Sequence, residues 1–201
     1  QWLDGEGGPR FFVMGALLAA ALAALGLFAS FFHLGRPARA WRAAAMWRTS
    51  WMSREVIVLP IFIALTLAYG LSHWFARPEH LLVGAMASLA AVALFVCTGM
   101  IYACIRFLRV WATPLTPINF TLLGCASGFT LAALLAAMTA PQLLRFFLLG
   151  AVVFTVAAWV GRLVAWRRNA RLVPKSTLQT AIGIKHAHIE QKSQGFMGGS
   201  F

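Results

Sequence analysis

The sequence predicts an all-α membrane protein, a polytopic transmembrane helix bundle with five spans, and three observations predict it. Hydrophobic residues make up 61% of the chain against 11% charged, and the mean hydropathy is +0.78, which leaves too little polar surface for a soluble domain. Five apolar runs are each long enough to cross a hydrocarbon core of about 30 Å at ~1.5 Å per residue. The formal net charge of +12 sits mainly in short segments between those runs. There it faces lipid headgroups or partner subunits, and no nucleic-acid role is expected.

Residues 1–10 have a loop composition with Asp4, Glu6 and Pro9. The first span, 11–32, holds no charge, and Gly15, Ala19 and Ala23 form a small-residue stripe that allows close helix contact. Residues 33–54 form a basic loop in which Arg36, Arg39 and Arg42 share roughly one face of a short helix over 38–47, lying on the headgroups. In the second span, 55–75, Ser53 is a candidate cap, Glu55 stands where the helix dipole favours a carboxylate, and Pro60 falls in the second turn. A turn over 76–80 leads into the third span, 81–105. Arg106 to Pro117, with prolines at 114 and 117, predicts an extended connector. The fourth span is 118–139, Ala140-Pro141-Gln142 turns the chain, and the fifth span is 143–166. The domain layout is thus a helical bundle over 1–166 followed by a basic tail or inter-helix segment over 167–201. The chain begins at Gln1 and not at Met, so a segment before it is expected to be removed or not included.

Alternating five helices places the loops at 33–54 and 106–117 and the tail on one side. All of the 17 lysines and arginines except Arg10, Arg77 and Arg145 fall on that side, so the positive-inside rule assigns it to the cytoplasm of a bacterial inner membrane. Trp41, Trp47, Trp51, Trp111 and Trp166 gather at this face and Trp74 near the other, as interfacial belts require. Cys97, Cys104 and Cys125 lie in apolar segments without Cys-x-x-Cys spacing and are expected to be packing residues.

His33 closes the first span, and Glu55 opens the second. Apart from Glu190, Glu55 is the only acidic residue on the cytoplasmic side. A histidine and a glutamate ending adjacent antiparallel helices at one depth form a proton-handling pair, suited to a molecule that exchanges two protons with two electrons. Structural alternatives stand beside this: His33 can cap helix-end carbonyls, and Arg54 can pair with Glu55 at the surface.

His33-Leu-Gly-x-Pro, the 22-residue step to Ser-x-Glu55, Tyr102 followed by Trp111, and Thr116-Pro117 together resemble the membrane anchor subunit of the dimethyl sulfoxide reductase family. The resemblance covers most of the chain, most strongly from Phe11 to Pro117. It implies that His33 and Glu55 bind quinone, ubiquinone or menaquinone, and act in its redox chemistry. It further implies an eight-helix protein with no haem or metal of its own, docked to an iron-sulfur electron-transfer subunit and, through it, to a molybdopterin catalytic subunit. One further helix is then expected before Gln1 and others after Phe201. The tail, 176–185 and 194–201, looks like the subgroup associated with cytoplasmic sulfite dehydrogenase, which agrees with the arginine count. On this reading electrons pass from sulfite to quinone, with Arg36 bonding a quinone oxygen and Tyr102 offering its hydroxyl. For Arg36 and Tyr102 the alternatives are snorkelling and interfacial anchoring.

Other functions make different demands. A dimethyl sulfoxide or oxyanion reductase anchor would oxidise menaquinol at the same residues. A haem-carrying anchor needs axial ligands on facing helices. His33 lies on one side, His73 and His80 on the other, and His186 and His188 in the tail, so no such pair is expected. A transporter would place polar groups at the midplane, where these spans offer little beyond Ser, Thr and Cys. A passive structural anchor would need no site at all.

Overall fold

The computed structural model of the chain describes residues 8–32, 34, 37–173 and 183. His33 and Arg36 lie outside the described residues, as do the tail motifs except Gly183. Five long helices account for most of what is described: α1 Gly8–Phe31, α2 Trp51–Trp74, α3 His80–Ala103, α4 Leu115–Thr139 and α5 Pro141–Ala170. All five are long and apolar enough to cross a membrane, and no strand occurs among the described residues. Each helix packs on its sequence neighbour, the α4–α5 pair most extensively, and α1 also reaches α4. The short connections α2–α3 and α4–α5 make these pairs antiparallel hairpins.

The packing is that of a protein whose solvent is lipid. The buried apolar residues are mostly small, including Ala16, Ala20, Ala126, Ala133, Ala136 and Ala158, while Leu, Val, Phe and Trp crowd the exposed faces. With lipid as apolar as leucine, association gains little from burying large side chains and more from close van der Waals contact between backbones. Two junctions illustrate this. A Cβ on Gly99 would come within 2.5 Å of the Pro117 backbone, locking α3 to the first turn of α4. On α1 the fully buried small residues are Ala16, which meets Gly70 of α2, and Ala20, whereas Gly15, Ala19 and Ala23 of the small-residue stripe are only half-buried.

Several helix ends differ from the sequence expectation because local hydrogen bonds, not hydropathy, set them. α2 begins at Trp51, four residues before Glu55, and its cap is Ser50, whose side chain accepts the Ser53 N–H. Pro60 is therefore the tenth helical residue, in the interior, where it leaves the Val56 carbonyl without its intrahelical donor. The segment 104–114 is not extended: it is a chain of tight turns closed by bonds such as Trp111 N–H to Leu108 O (2.9 Å) and Thr113 N–H to Trp111 O (2.7 Å). α4 starts at Leu115, ahead of Pro117, since a first-turn proline gives up a donor that has no partner anyway. α5 continues through Arg167 and Arg168 to Ala170. The basic loop contributes a 3-10 helix, Pro37–Ala44, in which Arg39 and Arg42 eclipse one another at the i, i+3 spacing. Cys97 is buried and Cys125 half-buried, but Cys104 is exposed and not a packing residue.

Candidate functional site

Glu55 is the fifth residue of α2, one turn inside the helix. Its neighbour Arg54 does not compete for it: the guanidinium donates to Trp47 O (3.0 Å) and Arg48 O (2.9 Å) and lies 4.2 Å over the Trp51 ring. The Glu55 carboxylate turns instead to α3, where Oε1 accepts a hydrogen bond from the Thr98 hydroxyl. A hydroxyl that donates to a carboxylate still has lone pairs to accept with. Thr98 thus bonds to Glu55 on one side and can still accept a hydrogen bond on the other.

On that other side is a cavity of about 830 Å³ between α3, α4 and α5, lined by Thr98, Tyr102, Trp111, Asn119 and Arg162 among mostly apolar neighbours. Thr98 and Tyr102 are four residues apart on α3 and so share a face. Tyr102 stacks on Phe120 (5.4 Å, 14°) and meets Trp111 edge-on (5.4 Å, 90°). Trp111 is held in turn by the Thr116 hydroxyl, which donates to its carbonyl at 2.7 Å. The Tyr102, Trp111 and Thr116 positions, parts of one motif in the sequence, thus converge on the cavity wall.

Three polar residues of the cavity are not evident from the sequence as site residues. Asn119, buried in the second turn of α4, donates from Nδ2 to Gly161 O (3.3 Å), and its Oδ1 has no partner. A Cβ on Gly161 would collide with Asn119 Oδ1, so the close approach of the amide uses the absence of a side chain there. Arg162, next along α5, lines the same space, and Asn169 lies two turns further on. A signal for Arg162 and Asn119 does exist: a charge and an amide within apolar spans, where ionisable groups mark functional sites. In the charge count Arg162 is only one of the basic residues on its side. At the mouth, Arg168 donates to Arg109 O (3.0 Å) and Arg109 to Val173 O (3.0 Å), tying the α3–α4 connector to the end of α5.

At the opposite end of the bundle the two histidines that follow one another across the α2–α3 turn come together. The His73 and His80 rings lie 4.9 Å apart. Rings in contact leave no gap for a haem plane between them, so this is not an axial pair.

Comparison with known proteins agrees with this arrangement of spans and motifs. A family profile described as DMSO reductase anchor subunit (DmsC) matches residues 5–187. A sulfite dehydrogenase subunit of Allochromatium vinosum is 54% identical over 205 residues, which cover 96% of this chain and 63% of that protein. The chain therefore spans less than two thirds of the length of that curated relative. No solved structure matches it. This multi-pass membrane chain belongs to the DMSO reductase anchor subunit family.

Proposed function

We propose that this chain is the quinone-reactive part of a membrane anchor in a molybdopterin and iron-sulfur oxidoreductase, and that the complex couples sulfite oxidation to quinone reduction. The observation that carries the reading is the 830 Å³ cavity: a mostly apolar chamber of ligand size with a carboxylate reachable through one hydroxyl. The name of the 54% identical relative supports sulfite as the donor. The basic loops and the excess of arginines at the Glu55 end support a cytoplasmic site on which an iron-sulfur subunit docks. The family description supports the reverse direction, menaquinol oxidation through the same relay.

A quinone supplies the two-electron, two-proton chemistry; the chain supplies its surroundings. Phe120, Trp111 and the apolar walls exclude water around the ring. Tyr102 and Arg162 offer donors to carbonyl oxygens, Arg162 with a charge that strengthens its bond. Glu55, when protonated, donates to the Thr98 hydroxyl, which then turns from the carboxylate it bonds in the structure and donates into the cavity. His33, at the end of α1, is assigned the second proton and lies outside the described residues.

The test is quinone reduction by the intact complex with Glu55→Gln, measured beside dye-linked activity. The amide keeps the size of the side chain and removes the transferable proton. Quinone reduction should fall by about 10²-fold or more while dye reduction is retained. Unchanged quinone kinetics would remove Glu55 from the site.

A further inference from the structure

The cavity beside Thr98 is long, and its two halves differ. On α4 its wall runs from Leu115 to Ser127, about 18 Å along the helix, and on α3 from Tyr102 to Leu94, about 12 Å. Polar side chains collect towards the α3–α4 connector, where Tyr102, Thr113, Thr116, Asn119 and Arg162 line the space. Asn119 fixes the level of Arg162 on α5, because its Nδ2 donates to the Gly161 carbonyl. Beyond Asn119 the wall is made by Leu94, Phe95, Leu123 and Gly124. The Ser127 hydroxyl at the far tip is returned to Leu123 O at 2.9 Å and offers a ligand no free donor. Leu123 is 44% exposed and Ser127 is exposed as well, so the apolar half opens sideways from the bundle towards lipid.

At this opening Phe95 of α3 lies against Gly124 of α4, and both residues line the cavity. The ring is so close to the helix backbone that a Cβ on Gly124 would collide with its Cε1 and Cζ atoms. Gly128, one turn further along α4, has nothing within 4 Å of the place a Cβ would take. The close approach therefore belongs to position 124 and not to every glycine of this helix. Glycine inside a helix is less favourable than alanine; at 124 it gives the Phe95 ring a seat against α4 and out of the passage. The helices cannot part to make room for a side chain there, because one turn along α3 Gly99 already meets the Pro117 backbone. A methyl group at 124 would instead push the ring into the opening.

The geometry points to Phe95 and Gly124 as the pair that determines which quinone side chains the cavity accepts, an inference that rests on the quinone reading of this site. The oxygens of a quinone head group match the polar half. A long apolar prenyl tail finds no partner there; it fits the apolar half and leaves for the bilayer past Phe95, Leu123 and Ser127. Phe95, seated on Gly124, keeps that exit open. The pair faces the tail and not the reacting oxygens, so its effect falls on discrimination between tails and not on the proton path through Thr98.

The test is steady-state quinone reduction by the intact complex, comparing decylubiquinone with the same benzoquinone head group without its tail; dye-linked activity measures the amount of assembled complex. Gly124→Ala should raise the ratio of the KM for the tailed quinone to the KM for the tailless one by about tenfold, the discrimination one methyl group supplies in an apolar site. Adding Phe95→Leu, which shortens the side chain and makes room for the methyl, should bring the ratio back towards that of the unsubstituted complex. A mere loosening of α3 from α4 would be worsened by this second change, not repaired. A ratio that is unchanged or lower in Gly124→Ala, or one that Phe95→Leu does not restore, would overturn the assignment and leave the quinone reading in place. If Gly124→Ala does not assemble, Phe95→Trp, a larger ring on the same seat, should raise the ratio in the same sense, and an unchanged ratio there would overturn the assignment equally. Reduction of neither quinone by the unsubstituted complex would instead remove the quinone reading, and this inference with it.

Discussion

The two ends of this bundle treat their polar groups differently. At the Glu55 end, polar side chains reach across helices: Thr98 to Glu55, Asn119 to Gly161, Arg168 to the α3–α4 connector. At the His73 end the His73 ring is packed between Phe12 and Tyr69, and Thr66 Oγ1 and His73 Nε2 find no partner, against Asn119 Oδ1 at the Glu55 end. In a low-dielectric surrounding a cross-helix bond to a charged group is stronger than its counterpart in water, and an unmade bond is correspondingly costly. The difference separates polar groups bonded across helices from a cluster whose bonds are incomplete.

That contrast can be broken at its strongest point first. Glu55→Gln carries the largest expected effect, on quinone reduction alone. Next is Thr98→Val, which keeps the shape of the side chain and removes the link between Glu55 and the cavity. Loss of one hydrogen bond to a charged group, about 1.5–3 kcal/mol, predicts at least a tenfold fall in quinone reduction. Thr98→Ser should restore most of it; a Val variant with normal quinone kinetics would show that the hydroxyl is only structural.

Gly99→Ala sharpens the comparison by loosening one end only. The added methyl would press on the Pro117 backbone, an overpacking cost of about 1–3 kcal/mol. The midpoint of thermal unfolding in detergent should fall accordingly. If the variant is as stable as the parent, α3 and α4 are not locked at that point.

The smallest effect belongs to the turn beside His73. Ala76 has φ +48°, and Arg77 N–H bonds to Ser72 O (2.8 Å) while Ala76 N–H bonds to His73 O (3.3 Å), the pattern that ends helices with a left-handed residue. Alanine there carries a steric cost that glycine avoids. Ala76→Gly should therefore stabilise the protein by about 0.5–1 kcal/mol, seen as a small rise in Tm. A fall would mean that the extra freedom glycine gives the unfolded chain outweighs the relief.

Residues differ in how far the sequence makes them legible. Tyr102, Trp111 and Thr116 read together as a motif and stand together in space, because they bracket one short connector. Thr98 is not legible: one hydroxyl in an apolar run does not differ from its neighbours until the facing helix is known. Arg162 is legible for its charge and not for its depth, since the end of α5 lies beyond the last apolar residue. Glu55 reads as a helix-start carboxylate; the Ser50 cap moves it one turn inward and so within reach of α3. His73 and His80 read as belonging to one side of the membrane, but their contact depends on a turn that hydropathy does not describe.

By itself, the sequence determined the five spans, their order and the asymmetry of their charges, because transfer of apolar residues into lipid is a sum over consecutive positions and the basic loops stay outside it. Only the tertiary structure decided which side chains meet. In a bundle joined through alanine and glycine, a rotation of one residue, as from Ala19 to Ala20, redirects a helix face by about 100°. The pairing of Thr98 with Glu55, and the isolation of Thr66, follow from that registry between helices.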